Sequence, residues 1–347
     1  MAPEEILKRA QEMNCAVITA RAGNVSVSVS VSDSKVVNKL KTFIDLVEES
    51  GYVGEEHEVK TEDGYELIVH RISGGPLNPV RFGKPVILLL HGLMGASDVW
   101  VLRGPAQDIA YLLVDQDYDV WAINVRGNYY STLHMNITSN STYWNFSWHE
   151  NGMYDVPATI NYILSLTNQK KLSLIGHSMG GTEILVLLST RPEFNNKVNI
   201  AITWAPAATV THDIPGFFPN FVFQHANEVT SSILRIKDHY PQGTSLKTIL
   251  HYGQVFASRR FQQYDYGKMI NLIKYNDIKP PEYLLSRITT PVIIYYARDD
   301  RLVTKEDVNL LLTKIPTAIA KEVPSDDFGH LGFIISKNTK SLIYDRG

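Results

Sequence analysis

Short apolar runs recur along this 347-residue chain, and segments of helix length separate most of them. Such a run, bounded by turn residues, is typical of a strand that other elements cover on both faces. The runs are residues 85–90, 118–123, 172–175, 198–204, 292–296 and, with a weaker pattern, 318–323. Because strands that alternate with helices form a mainly parallel sheet, the pattern predicts an α/β fold with helices on both faces.

The helix-length segments between the runs include 105–117, 155–167 and 182–189. A further helix is predicted over residues 36–49, and a hairpin follows it, in which residues 56–60 and 65–71 flank the turn at 62–64. Nearer the start, residues 25–32 alternate valine and serine. This alternation permits a strand with its valines on one face, or a disordered leader with no role in chemistry.

Residues 205–288 break the alternation, since they form a long stretch that is rich in aromatic residues and lacks an obvious strand. We interpret them as a cap inserted between two parts of one core, residues 36–204 and 289–347. An atypical leader over residues 1–35 precedes the core. Insertions after a sheet strand commonly cover the carboxyl ends of the strands, where ligands bind in open α/β sheets.

Composition argues against several classes of function. The formal net charge of −3 and the pI near 6.4 give no basic surface for nucleic acid, whose phosphates require clustered lysine and arginine. With Cys15 as the single cysteine, neither an intramolecular disulfide nor a thiolate metal cluster can form. The first residues lack the pattern of a signal peptide, and no apolar run approaches the ~18 residues of a membrane span. We therefore expect a soluble protein without a transmembrane segment, which meets membranes or droplets only at their surface.

Acceptor triplets for asparagine-linked glycosylation cluster in one stretch of the chain. Asn136, Asn140 and Asn145 each begin an Asn-x-Ser/Thr triplet, and Asn24 begins a fourth. The cluster favours a secretory route, although such triplets also arise by chance.

The pentapeptide Gly-His-Ser-Met-Gly at 176–180 follows an apolar run and opens a helical pattern. In that context a Gly-x-Ser-x-Gly motif is typical of a nucleophile elbow, whereas the same pentapeptide in an ordinary turn has no catalytic meaning. The turn is so tight that Gly176 and Gly180 have no room for side chains. Ser178 is thereby raised above the sheet at a helix N-terminus, where backbone amides can bind an anion. Ser178 is the candidate nucleophile.

A serine hydroxyl needs a histidine to take its proton and a carboxylate to hold that histidine. In a fold with this elbow the chain order is serine, acid, histidine, and His330 is the histidine in the last sheet-forming part of the chain. For the acid, the run at 292–296 leads into Asp299 and Asp300, of which we prefer Asp300. Asp326 and Asp327 are rivals, but they lie too close in sequence to His330 to reach its ring easily.

The negative oxygen that develops during acyl transfer needs two amide donors. One belongs to the residue after the nucleophile, Met179, and the other to a loop after an earlier strand. That loop is His-Gly-Leu-Met-Gly at 91–95, so we assign the second amide to Leu93. A glycine-rich loop after a strand is also common without any catalytic role.

A series of ordered blocks over residues 41 to 345 resembles the acid lipase family. The blocks are Thr-Glu-Asp-Gly-Tyr at 61–65, His-Gly-Leu at 91–93, Ser-Asp-Val-Trp at 97–100, Tyr-Asp-Val-Trp at 118–121, Asn-Val-Arg-Gly-Asn at 124–128, Phe-Ser-Trp-His-Glu at 146–150, Tyr-Asp-Val-Pro at 154–157, the Ser178 elbow, Ala-Pro at 205–206 and His-Leu at 330–331. The resemblance implies an α/β-hydrolase fold with a helical cap and a mobile lid. It also implies a secreted or endolysosomal location, although an intracellular one stays open.

Carried over by position, the resemblance implies Ser178, Asp300 and His330 as the catalytic triad, with Leu93 and Met179 as oxyanion donors. The chain departs from the family pattern in several places. Met179 stands where many relatives have glutamine, and Gly332 stands where aspartate is usual, which removes a second support for the histidine. The family's cap cysteines are also absent.

We therefore expect a serine hydrolase that cleaves acyl esters of lipids, such as triglyceride or cholesteryl ester, at a membrane, droplet or micelle surface. No metal or organic cofactor is implied. The cap's aromatic residues would line an acyl pocket, or else form the cap's own small core. They include Phe217, Phe218, Phe221, Phe223 and Tyr240. The alternatives are a catalytically weak binding or storage protein, and an esterase for short-chain esters, thioesters or peptides.

Overall fold

The computed structural model describes residues 17–21, 24–28, 40–136, 140–212 and 239–346. Its strands are β1 (Val17–Arg21), β2 (Asn24–Ser28), β3 (Val53–Lys60), β4 (Tyr65–Gly74), β5 (Val86–Leu90), β6 (Asp119–Ile123), β7 (Leu133–His134), β8 (Leu172–His177), β9 (Val198–Trp204), β10 (Val292–Ala297) and β11 (Ala318–Val323). Its α-helices are α1 (Phe43–Glu49), α2 (Ile109–Asp115), α3 (Asn140–Tyr143), α4 (Trp148–Glu150), α5 (Val156–Thr167), α6 (Met179–Thr190), α7 (Leu246–Ser258), α8 (Lys268–Tyr275), α9 (Lys305–Lys314), α10 (Gly332–Ile335) and α11 (Thr339–Leu342). Short 3-10 turns cover Ser97–Trp100, Pro192–Asn196, Leu285–Arg287 and Tyr344–Arg346, and a π-helical turn covers Asn151–Asp155.

Nine of the described strands form one sheet in the order β11-β10-β9-β8-β5-β6-β4-β3, with β7 beside β4. All neighbours from β11 to β6 are parallel, whereas β4, β3 and β7 pair antiparallel at one side. The predicted mainly parallel sheet and the predicted hairpin of β3 and β4 are confirmed. β5 is buried along its whole length, as its uninterrupted apolar sequence predicts.

The strand order changes direction beside β5. β6 lies on one side of β5, and β8 lies on the other, with β9, β10 and β11 following outward. At such a switch point the connections diverge and leave a crevice at the carboxyl ends of the strands. The loops after β5 and β8 meet at this crevice, and they are the loops that carry Leu93 and Ser178.

Three predicted helices have different bounds in the structure. The helix predicted over 36–49 begins at Phe43, after a capping box at Thr42. The helix predicted over 105–117 begins only at Ile109, because the Asp108 carboxylate accepts hydrogen bonds from the amides of Arg103 and Gly104 and holds the preceding residues in a turn. The helix predicted over 182–189 already begins at Met179, directly after the turn at Ser178.

Between β9 and β10 the chain leaves the sheet. In the described part of this stretch, α7 and α8 are the α-helices, and an isolated bridge joins Gln262 to Glu282. The four phenylalanines predicted to line a pocket, at positions 217, 218, 221 and 223, lie outside the described residues. Separately, β1 and β2 pair with each other in a two-stranded sheet. Among the helices that the structure describes, none has the length and hydropathy to cross a bilayer.

Candidate active site

Ser178 lies at a sharp turn between β8 and α6. Its backbone has φ 52° and ψ −112°, a strained conformation that costs about 1–3 kcal/mol and persists only where the surroundings enforce it. Close contacts leave no space for side chains at positions 176 and 180. A Cβ on Gly180 would overlap the carbonyl of Leu90, and one on Gly176 would lie 2.6 Å from the carbonyl carbon of Gly180. The predicted need for glycine at both positions is confirmed.

The side chains of Ser178, His330 and Asp300 form one continuous hydrogen-bonded row. His330 Nε2 lies 2.9 Å from Ser178 Oγ, and His330 Nδ1 lies 2.8 Å from Asp300 Oδ2. All three residues are buried. Because a carboxylate only accepts hydrogen bonds, Nδ1 carries the ring proton and Nε2 is left to accept the serine proton. The structure thus brings together the three residues that the sequence nominated.

Backbone amides fix the orientation of the Asp300 carboxylate. Its Oδ1 accepts hydrogen bonds from the amides of Leu302 at 2.8 Å and Val303 at 2.9 Å. Oδ2 is thereby left to face His330. The rival carboxylate of Asp326 instead pairs with Arg298 at 2.7 Å and lies largely in solvent.

The loop after β5 lies directly against the nucleophile. A Cβ on Gly92 would be 3.4 Å from the Ser178 Cβ. Residues 92–95 form a tight turn in which the Gly95 amide donates to the Gly92 carbonyl at 3.0 Å, and Met94 takes a φ of 56°. Within the described part of the chain, the Leu93 amide donates to no acceptor. An amide without an internal acceptor is what the predicted oxyanion role requires.

Met179 supplies the second candidate amide. It is the first residue of α6, and the first amides of a helix have no partner within the helix. The helix dipole adds a partial positive charge at the same end. The two predicted donors therefore belong to the two loops that meet at the switch point of the sheet.

Two residues from the stretch between β9 and β10 hold the turn at 92–95 from outside. The Tyr240 hydroxyl donates to the Leu93 carbonyl at 3.0 Å, and the Gln242 amide donates to the Met94 carbonyl at 2.8 Å. The sequence offered no signal for either contact, because a tyrosine in a segment without periodicity could face anywhere. These contacts connect the stretch between β9 and β10 to the candidate oxyanion loop.

An aromatic cluster packs behind the elbow. Trp148 is fully buried and stacks on His251 with ring centroids 3.8 Å apart, and burial lowers the pKa of His251 to about 3. Tyr252, also on α7, donates its hydroxyl to Thr182 Oγ1 at 3.2 Å. Thr182 lies one turn after Ser178, so α7 packs directly on the helix that carries the nucleophile.

Gly332 fits under the ring of Phe328. A Cβ at this position would lie 2.9 Å from the Phe328 ring, and Phe328 is itself buried. Because glycine has no side chain, the Phe328 ring can pack against position 332, close to His330 in the chain.

A second serine–histidine pair lies elsewhere in the fold. His70 Nδ1 is 2.6 Å from Ser97 Oγ, and His70 Nε2 is 3.2 Å from Glu56 Oε2. His70 and Ser97 are both completely enclosed, and the His70 ring stacks on Phe43 at 4.5 Å. A substrate carbonyl cannot reach a serine that is enclosed in this way. We therefore assign the pair to packing between β4 and the turn at 97–100.

Comparison with known proteins gives a consistent family. Residues 85–336 match the family described as the alpha/beta hydrolase fold, and residues 43–104 match a partial alpha/beta-hydrolase lipase region. Lipase 1 of Drosophila melanogaster is 35% identical, over 87% of this chain and 77% of its own length. Gastric triacylglycerol lipase of Homo sapiens is 32% identical, over 85% of this chain and 87% of its own length.

Solved structures share the fold at much lower identity. A thermophilic esterase from Thermogutta terrifontis superposes with a TM-score of 0.51 at 15% identity, and the match covers 84% of this chain and 97% of the esterase. At this low identity, the similarity supports a shared fold but no shared activity.

Proposed function

Since the chain belongs to the acid lipase family of α/β-hydrolases, we propose that it is a serine ester hydrolase that cleaves acyl esters of lipids, triglyceride or cholesteryl ester among them. The observation that carries this proposal is the hydrogen-bonded row from Ser178 through His330 to Asp300, with distances of 2.9 Å and 2.8 Å. Its atoms stand in the order that acyl transfer to a serine requires.

In the proposed mechanism, Ser178 Oγ attacks the ester carbonyl while His330 Nε2 takes the hydroxyl proton. The new negative charge on the carbonyl oxygen receives hydrogen bonds from the amides of Leu93 and Met179. Asp300 stabilises the imidazolium through Nδ1. His330 then gives its proton to the alcohol oxygen as the ester bond breaks, which leaves an acyl group on Ser178.

Water completes the cycle by the same route. His330 takes a proton from the water that attacks the acyl-enzyme, and then returns it to Ser178 Oγ as the fatty acid leaves.

We propose residues 205–288 as a cap over this site. The contacts from Tyr240 and Gln242 to the turn at 92–95, and the packing of α7 on α6, support that assignment. The cap would also line the space for the acyl chain, since an apolar chain must leave water before its ester reaches Ser178.

A secretory or endolysosomal route is part of the proposal. Asn136 and Asn145 have exposed side chains, as glycosylation requires. The chain can be expressed in a eukaryotic secretory host and treated with an endoglycosidase. The treatment should reduce its apparent mass by that of one to three glycans. A mass unchanged by the enzyme would remove this part of the proposal.

Labelling with a fluorophosphonate probe tests the nucleophile. The native chain should label and Ser178→Ala should not, while Ser97→Ala should label like the native chain. Failure of the native chain to label would favour a binding or storage protein instead.

Hydrolysis of emulsified trioleoylglycerol and cholesteryl oleate at acidic and at neutral pH then tests the substrate class. A marked preference for acetyl over oleoyl esters would favour a short-chain esterase and count against a lipase.

A further inference from the structure

The distribution of residues on α8 is the reverse of that expected for a helix packed on a core. Met269 and Ile273 are 76% and 82% exposed, and Ile270 and Leu272 are also exposed. Asn271, the polar residue in the middle of these four, is the one buried residue of α8. The apolar side chains therefore point to solvent, and an amide points inward.

Polar contacts connect the buried side of α8 to the residues that flank the helix. Asn271 Oδ1 accepts a hydrogen bond from the Tyr266 amide at 2.9 Å. Its Nδ2 donates to Asp265 Oδ1 at 2.7 Å and to the Ile278 carbonyl at 3.0 Å. This network occupies the inward side of α8, and the apolar residues of the helix face outward.

The exposed apolar surface continues beyond the helix. Ile278 and Leu284 are about half exposed and follow α8 closely in the chain. Single exposed apolar residues are ordinary, but a concentration of them on one short helix and the residues after it is typical of an interaction surface. We call Met269, Ile270, Leu272, Ile273, Ile278 and Leu284 the α8 surface.

Basic residues surround the α8 surface. Lys268 and Lys274 lie at the two ends of the helix and Lys279 follows it, while the acids of residues 268–284 are Asp277 and Glu282. Glu282 pairs with Arg260 and Lys314. Lys274 extends over the Tyr266 ring, with Nζ 4.8 Å from its centroid. The whole chain carries a formal charge of −3, so this positive charge is a local feature.

The charge decides between two kinds of occupant. A second copy of the chain would bring the lysines of two α8 surfaces together, which opposes association. An apolar face flanked by lysines instead matches the boundary between water and an anionic lipid layer, where the apolar side chains enter the layer and the lysines meet its charges.

We infer that the α8 surface docks this enzyme on a lipid–water interface that carries fatty-acid carboxylates. The inference rests on the proposed function, because hydrolysis of lipid esters releases such carboxylates into the layer that holds the substrate. Docking then strengthens as the reaction proceeds, since each released fatty acid adds negative charge beside the lysines.

Flotation with vesicles tests this inference without hydrolysis. The full chain carrying Ser178→Ala is mixed with phosphatidylcholine vesicles, with or without about a fifth of oleic acid, at a pH where the acid is ionised. We expect tighter binding to the oleate vesicles. Adding Met269→Asp and Ile273→Asp should weaken that binding at least tenfold, and adding Lys268→Glu and Lys279→Glu should abolish the preference for oleate.

Matched variants elsewhere on the surface provide the controls. Ile319 is 55% exposed on β11, so Ile319→Asp should bind like its parent. Lys170→Glu with Lys171→Glu matches the charge change and should keep the oleate preference. In the chain with Ser178 intact, all these variants should hydrolyse a water-soluble butyrate ester as the native chain does.

Three outcomes would overturn the inference. They are unchanged vesicle binding by the α8 variants, equal loss in the control variants, and a native dimer in sedimentation that Ile273→Asp converts to a monomer. A native chain that floats with oleate vesicles but hydrolyses no ester would instead remove the proposed function and leave the docking surface standing.

Discussion

His177 Nε2 lies 2.9 Å from the backbone carbonyl oxygen of His330, across 153 positions of sequence. Burial lowers the pKa of His177 to about 3, so its ring stays neutral across the acid and neutral range. A carbonyl oxygen only accepts, so the ring proton is on Nε2 and His177 is the donor. The residue before the nucleophile thus holds the backbone of the loop that carries the candidate base.

Removing this donor should disturb the alignment of His330 with Ser178. His177→Phe keeps a buried ring but loses the hydrogen bond, and we expect kcat on a soluble ester to fall about five- to tenfold with KM little changed. His177→Gln, whose amide can donate to the same carbonyl, should recover part of the loss. Equal loss in both variants, accompanied by a lower urea midpoint, would indicate a packing role instead.

The carboxylate of Asp300 makes a sharper prediction. Two amides hold its Oδ1, so the oxygen of an Asp300→Asn side chain stays with them and its NH₂ faces His330. That donor forces Nδ1 to accept and moves the ring proton to Nε2, where it blocks transfer from Ser178. We expect kcat to fall by about 10³–10⁴.

Asp326→Asn provides the control, because that carboxylate is exposed and pairs with Arg298. Its kcat should stay within about twofold of the native value. A loss in Asp326→Asn that matches the loss in Asp300→Asn would contradict the assignment of the acid.

The sequence predicts the central strands well because β5 and β6 are buried along their whole length and so have apolar runs. β11, which is partly exposed at the side of the sheet, has the weaker pattern. The turn at 62–64 likewise predicts the antiparallel hairpin of β3 and β4. Helix bounds are harder to predict where a side-chain contact sets them. Asp108 sets the start of α2 by accepting hydrogen bonds from the amides of Arg103 and Gly104. No sequence pattern predicts such a contact.

For the candidate site, the motif and chain order nominate Ser178, Asp300 and His330, because the tight turn and the strand end restrict which residues can serve. The contacts that support them are not predictable in the same way. The Tyr240 hydroxyl reaches the Leu93 carbonyl across 147 positions, and only the folded chain reveals that distance.

The contact between Tyr240 and Leu93 gives a third prediction. The turn at 92–95 holds Met94 at a φ of 56°, a conformation that needs external support. Tyr240→Phe removes one hydrogen bond from that turn, and kcat on a soluble ester should fall about fivefold without a change in KM.

Tyr143→Phe is the matched control for Tyr240→Phe. The buried Tyr143 hydroxyl also donates to a carbonyl, that of Ser131 at 2.9 Å, away from the turn. If both variants lost activity equally, the effect would be one of general packing.

Glu183 and Asn151 share an unusual buried contact behind the elbow. Asn151 Nδ2 donates to Glu183 Oε1 at 2.8 Å, while Glu183 Oε2 and Asn151 Oδ1 have no hydrogen-bond partner among the described residues. Burial, and then the negative charge of Asp155, raise the pKa of Glu183 well above its ordinary value of 4.5. A proton on Oε2 would give the Asn151 oxygen its missing donor, so the neutral acid is the form that fits.

This raised pKa fixes the sign of a pH effect on stability. Between 4.5 and the raised pKa, the folded chain binds one more proton than the unfolded chain, so the contribution of Glu183 is greatest in acid and is lost as the pH rises. Glu183→Gln imitates the protonated acid at every pH. Relative to the native chain, the free energy of unfolding of the variant should therefore increase by up to about 1.4 kcal/mol for each pH unit above 4.5.

The test compares the free energy of unfolding of the two chains, because buried histidines change the stability with pH in the opposite direction. Burial lowers the pKa of His91 to about 4 and that of His177 to about 3, so their contributions are lost as the pH falls below about 6.5. These contributions are common to both chains and cancel in the difference. Urea unfolding of native and Glu183→Gln protein at acidic and neutral pH should show that the variant becomes more stable relative to the native chain as the pH rises. A difference that is constant with pH would mean that Glu183 is ionised in the fold.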